Sequence, residues 1–151
     1  MVKILFVCHG NICRSPMAEF ILKKLTEENG VGDRYIIDSC AASTEELGRP
    51  VYPPAKAELA RHGIGCEGKY ARQITKADYK TFDYIFVMDE RNVRETRRVI
   101  GEDTAGKIRK LLEFAGIGGD VPDPWYHGNF DKVYDSIYSA CEKLLQMLAE
   151  K

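Results

Sequence analysis

A chain of 151 residues, 44% hydrophobic and 30% charged, has the balance of one compact domain spanning residues 1–151. Its formal net charge of −1 excludes a generally basic surface for nucleic acid or anionic membrane, so any anion binding has to be local. Five cysteines at positions without disulfide-framework spacing, no apolar run near the ~20 residues of a membrane helix, and a short apolar start (Met1–Val7) broken by Cys8-His9-Gly10-Asn11 point to a reducing compartment, the cytoplasm.

In chain order, Val2 to Val7 is an almost unbroken apolar run that ends in a glycine-containing turn, the pattern of a strand buried on both faces. A helix is expected next, with Ser15 as N-cap, Pro16 in the first turn, Met17, Phe20, Ile21 and Leu25 at helical spacing, and Asn29-Gly30 as the stop. Tyr35-Ile36-Ile37 reads as a second strand and Tyr84 to Met88 as a third; between them Pro53-Pro54 opens a helix ending at Gly63. Asp89 is placed to cap a helix carrying Val93, Val99 and Ile100 on one side, and Ile108, Leu111 and Leu112 suggest a fourth strand. From Phe130 through Val133, Tyr134, Ile137, Cys141, Leu144, Leu145 and Leu148 the three-and-four rhythm of an amphipathic helix is unbroken. Strands alternating with helices predict an α/β fold: a parallel sheet with helices on both faces, and ligands at the carboxyl ends of its strands.

That rule points at Cys8-His9-Gly10-Asn11-Ile12-Cys13-Arg14-Ser15, a cysteine, five residues and an arginine between a buried strand and a helix start. So short a loop curls on itself, and the amides of His9 to Ser15 form a concavity for a phosphate-sized anion at the positive end of a helix. Gly10 permits close approach and unusual dihedrals, and Asn11 tolerates a left-handed backbone. Arg14 offers a planar fork of donors matching two phosphoryl oxygens. Amides, helix dipole and Arg14 all favour thiolate over thiol at Cys8, the expected nucleophile, and Ser15 is placed to hydrogen-bond its sulfur. Asp123, stiffened between Pro122 and Pro124, precedes Trp125-Tyr126, aromatic walls suited to a flat phenyl ring. Alone, Asp-Pro is turn chemistry; beside the Cys8 loop it is a proton donor candidate, with Asp120 ranked behind it.

The segments Val7-Cys8 through Glu19, Asp38-Ser39, Ala71-Arg72-Gln73, Phe82-Asp83-Tyr84, Met88-Asp89 and Asp123-Pro124-Trp125-Tyr126 resemble, over almost the whole chain, the low-molecular-weight protein-tyrosine phosphatases. The resemblance implies a four-stranded parallel sheet and hydrolysis of phosphotyrosine in protein substrates without metal or organic cofactor. By it, Cys8, Arg14 and Asp123 are catalytic, with Asp123 as general acid and then base on a cysteinyl-phosphate. Ser39 and Asp89 are supporting residues, although Asp89 reads equally well as a helix cap. Glu45 falls where many relatives carry an aromatic at the pocket mouth. Cys13 sits where relatives can form a disulfide with the nucleophile, and redox protection and simple packing stand level. Relatives often carry a histidine just before the Ala-Arg-Gln segment; this chain has Lys69-Tyr70, which puts the support of Asn11 in question.

His9, His62 and His127 read as rim or surface residues, and Arg91, Arg94, Arg97 and Arg98 as a solvated helix face. A zinc site from Cys8, Cys13, His62 and Cys66 is rejected because Arg14 would sit beside the metal. Three rivals share the loop. An arsenate reductase needs further relay cysteines after Met88-Asp89, and none is there. An arginine-phosphate phosphatase tends to carry threonine at the position of Ile12, and a non-catalytic phosphotyrosine reader needs neither Cys8 nor Asp123. The sequence carries no signal of an oligomeric state.

Overall fold

The computed structural model describes residues 1–149, in which four parallel strands form one sheet in the order β2-β1-β3-β4. In chain order these are β1 (Val2–Cys8), β2 (Tyr35–Ala41), β3 (Tyr84–Val87) and β4 (Ile108–Lys110). The helices are α1 (Arg14–Glu28), α2 (Pro53–Arg61), α3 (Lys76–Thr81), α4 (Glu90–Ile100), the short α5 (Leu111–Phe114) and α6 (Pro124–His127), and α7 (Phe130–Ala149).

β1 is central, and its alternation divides the core. Ile4, Phe6 and Cys8 face a large cluster completed by Met17 and Ile21 of α1, Leu59 of α2 and Val133, Ile137 and Leu144 of α7. Leu5 and Val7 face a smaller one with Ile74, Phe82 and Ile85, closed by Val93, Val99 and Ile100 of α4. Full burial of side chains such as Phe6 and Phe86 contributes roughly 1.5–3 kcal/mol each, which is why β1 is fixed in register on both sides.

Three expectations are corrected. α1 begins at Arg14, not after Ser15, and Cys13 holds the N-cap position without a side-chain cap, because the Ser15 hydroxyl is used in the loop below. β2 runs on to Ala41, since it pairs with β1 up to Cys8. Leu111 and Leu112 leave the fourth strand and enter α5, where both are buried against the large cluster. α3 was not anticipated, although its signal was present: Thr75 and Asp78 form a reciprocal capping box. No helix among the described residues is long and apolar enough to cross a membrane.

Candidate active site

β1 delivers Cys8 to the carboxyl edge of the sheet, and residues 9–13 curl before α1 begins. Asn11 makes the curl possible with φ +58°, the left-handed region, and is the one non-glycine residue with positive φ among those described. Gly10 does not use a positive φ. Its need is space, since a Cβ there would lie 3.1 Å from Glu46 Cγ. The backbone N–H groups of Asn11 and Ser15 point at Cys8 Sγ from 3.3 and 3.4 Å, and Ser15 Oγ lies 3.1 Å from the same sulfur. Ser15 Oγ also accepts from Asn11 Nδ2 at 2.7 Å, so its single proton has two acceptors, Cys8 Sγ and the Cys40 carbonyl at 3.3 Å.

A second tier, almost wholly buried, holds Asn11 in its strained conformation. Asn11 Nδ2 donates to Ser39 Oγ at 3.0 Å, and the Arg72 amide donates to Asn11 Oδ1 at 3.3 Å. Ser39 Oγ donates to Glu19 Oε1 at 2.6 Å, on a carboxylate that is itself buried. Lys69 answers the question its position raised. It does not touch Asn11; its ammonium meets Ser39 O at 2.7 Å, Asp38 Oδ1 at 2.9 Å and Glu19 Oε1 at 3.0 Å. The cation therefore acts on Asn11 through Glu19 and Ser39, by balancing the carboxylate that orients Ser39.

Arg14 is buried and directed by Nη1, which donates to Asp89 Oδ2 at 2.7 Å and to Val121 O at 2.8 Å. Burial works against the charged guanidinium, but the Cys8 and Asp89 charges outweigh it and hold Arg14 above its ordinary value. Asp89 thus combines the two roles weighed for it, since its other oxygen caps α4 through the Asn92 N–H. Burial first, then the neighbouring Cys8, pushes the Cys13 thiol up, so Cys13 rests as a neutral thiol.

Asp123 approaches from the far side. It accepts from the Trp125 N–H at 3.0 Å as the N-cap of α6, and its Oδ2 lies 3.6 Å from Arg14 Nη2. Asp120 is turned away and paired with Lys110 at 2.9 Å. Trp125 is 54% exposed with its ring 4.8 Å from that of Tyr52, and Tyr126 is 75% exposed.

These elements enclose a cleft of about 350 Å³ with Cys8, Cys13 and Arg14 at its base and Ile12, Asp123, Trp125 and Tyr126 on its walls. Glu45 is at the rim as expected, joined by two residues that sequence reasoning missed, Glu46 and Arg91. Arg91 belongs to the face read as solvated; only the direction of α4, leading away from Asp89, brings its first turn to the cleft. His62, considered as a metal ligand, instead stacks on Tyr134 at 3.7 Å and meets Glu58. His9, at the rim, is bracketed by Glu45 and Glu95.

Residues 3–151 match a family described as low molecular weight phosphotyrosine protein phosphatase. A low molecular weight protein-tyrosine-phosphatase of Bacillus subtilis, YfkJ, is 38% identical over 153 residues, covering 100% of this chain and 98% of its own. Its crystal structure superposes with a TM-score of 0.94 over 99% of this chain and 96% of that one. A low molecular weight phosphotyrosine protein phosphatase of Sus scrofa is 40% identical, covering 98% of this chain and 94% of its own. The crystal structure of a drosophila arginine phosphatase is also similar, with a TM-score of 0.87 and 32% identity over 97% of this chain and 98% of that one.

Proposed function

Because the chain belongs to the low molecular weight protein-tyrosine phosphatase family, we propose that residues 1–151 form one phosphatase domain that hydrolyses phosphotyrosine in proteins through a cysteinyl-phosphate. The observation that carries the reading is the convergence of the Asn11 and Ser15 amides and the Ser15 hydroxyl on the Cys8 sulfur, the surroundings a nucleophilic thiolate needs.

Cys8 Sγ attacks phosphorus in line and the bond from phosphorus to the tyrosine oxygen breaks. Nη1 of Arg14 is engaged by Asp89 and Val121, which leaves Nε and Nη2 to meet two equatorial oxygens while the loop amides meet the third. Asp123, protonated at this stage, gives its proton to the departing phenolate. Water then attacks phosphorus, the Asp123 carboxylate takes the proton, and the sulfur leaves as thiolate. The Ser15 proton eases that departure when it turns from Cys40 O to Cys8 Sγ. These steps route no electron pair through a metal or organic cofactor.

Ile12, apolar and set in the cleft wall, favours an aryl group over a guanidinium, and so supports phosphotyrosine over phosphoarginine. Five buried free thiols support the cytoplasm as the compartment. The test is release of inorganic phosphate from a phosphotyrosine peptide without added metal, with an acid quench during turnover and mass spectrometry of the enzyme. Phosphate on Cys8 is the expected result. Stoichiometric peptide binding with no phosphate released would make the protein a phosphotyrosine reader, and faster turnover of phosphoarginine would reassign the substrate.

A further inference from the structure

The rim of the cleft holds a side-chain cluster that the chemistry above does not use. His9 Nδ1 lies 2.6 Å from Glu95 Oε2 on α4, and His9 Nε2 lies 2.8 Å from Glu45 Oε2 on the segment after β2. Neutral imidazole has one N–H and one lone pair, so it can serve only one of two carboxylates and turns its lone pair on the other. Imidazolium serves both. The ring therefore joins two separate parts of the rim only in its charged form.

The attachment is unequal. Glu95 is half-buried and anchored by Asn92 Nδ2 at 3.2 Å and Arg91 Nε at 3.4 Å, whereas the Glu45 side chain is 65% exposed. The segment carrying Glu45 is otherwise tied to the phosphate loop through the His9 carbonyl, which accepts from the Ser43 amide at 3.1 Å and the Ser43 hydroxyl at 2.8 Å. Besides Glu45, the neighbouring charges are Glu46 with its partner Arg49 on that segment, Arg91 and Glu95 on α4, Cys8 and Arg14 in the loop, and Asp123 across the cleft. Loss of the imidazolium charge leaves the Glu45 carboxylate at the mouth of a site built to receive an anion.

We propose that His9 is a positioning residue that, as imidazolium, clasps Glu45 to Glu95 across the cleft rim, so that an incoming phosphoryl group is held best while His9 carries its proton. Burial alone would disfavour the charged ring, but its hydrogen bonds to Glu45 and Glu95 and their charges outweigh burial and raise His9 above its ordinary value. The clasp is thus kept beyond the pH at which a free imidazole loses its proton, and is lost as pH rises through the folded value. The inference rests on the phosphatase reading for the identity of the substrate, but not for the clasp itself.

The test reads the ring and the anion separately. The His9 ring is titrated by NMR, and binding of inorganic sulfate, whose charge stays constant over the range, is measured against pH in wild type, Glu95→Gln and His9→Leu. His9 is expected to titrate above its ordinary value of 6.5, and lower in Glu95→Gln than in wild type. Sulfate affinity should fall about fivefold through the wild-type transition, the effect of one screened unit charge, with the step moving in Glu95→Gln and vanishing in His9→Leu. A ring that titrates at or below the free value, or a sulfate step that survives unchanged in His9→Leu, overturns the proposal. A sulfate step that behaves as expected in a protein that releases no phosphate from phosphotyrosine supports the clasp and removes the phosphatase reading instead.

Discussion

Residues 8–15 and residues 121–128 face each other across the Arg14 guanidinium, and they are held by opposite means. The first segment is buried, and its key side chains are satisfied by partners far away in sequence: Asn11 by Ser39 and Arg72, Arg14 by Asp89 and Val121. In the second, Asp123 is held by the amide two residues on, and Trp125 and Tyr126 are largely exposed. An anion cradle works only if its donors are aimed before the anion arrives, which takes desolvation and a network that over-determines a strained backbone. The proton donor we propose would have to admit and release protein side chains of varied surroundings, and a locally capped turn suits that role.

The largest effects should separate the two segments by the step they serve. Cys8→Ser removes the nucleophile and should abolish phosphate release by several orders of magnitude, while phosphotyrosine peptide still binds in a calorimetric titration. Residual turnover near wild type would take the nucleophile away from the loop. Asp123→Asn should lower kcat on phenyl phosphate roughly 10²–10⁴-fold, and far less on a nitrophenyl phosphate whose leaving group needs no proton. Equal losses on both substrates would strip Asp123 of the acid role.

Stability should divide along the same line. Lys69→Met removes the inner cation from the buried Glu19 and Ser39 network, leaving Glu19 only Lys23, at 2.6 Å, as a cationic partner, and should destabilise the fold by about 1–3 kcal/mol in urea. Its pH dependence has a defined sign. Burial would raise the Asp38 carboxyl, but the Lys69 hydrogen bond and charge, with Ser39 and Arg72, hold it below its ordinary value. That contribution is complete above the unfolded value of about 3.9 and is lost as pH falls through the depressed folded one, so the acid limb of stability should be shallower in Lys69→Met. An unchanged acid limb would show that Lys69 is not what holds the Asp38 carboxyl down. Trp125→Ala, on the exposed side, should leave urea stability within about 0.5 kcal/mol of wild type and should raise KM for aryl phosphates by a few fold.

Much of this was legible in the residues. The apolar run of Val2–Val7, the turn rich in glycine and asparagine, and Arg14 six positions after Cys8 announce a strand and a curled loop from local chemistry alone. The periodicity from Phe130 to Leu148 announces α7 in the same way. Ser15 was misread as an N-cap because its hydroxyl has a stronger claim from Cys8 and Asn11, and those claims exist only once the loop has closed. Leu111 and Leu112 were misread as strand because a short apolar run has no period by which to tell strand from helix.

The sequence by itself determined the order of the four strands and the longer helices and the make-up of the Cys8–Ser15 loop, since each is a matter of which residues stand a few positions apart in the chain. Only the tertiary structure decided that Lys69 supports the loop through Glu19 and Ser39, that Arg91 and Glu46 reach the cleft, and that His9 lies between two carboxylates. These partners lie tens of residues apart, and a charge has no period to announce its mate. Their meeting is set by the packing of β1 between its neighbours and by where α4 leaves the sheet.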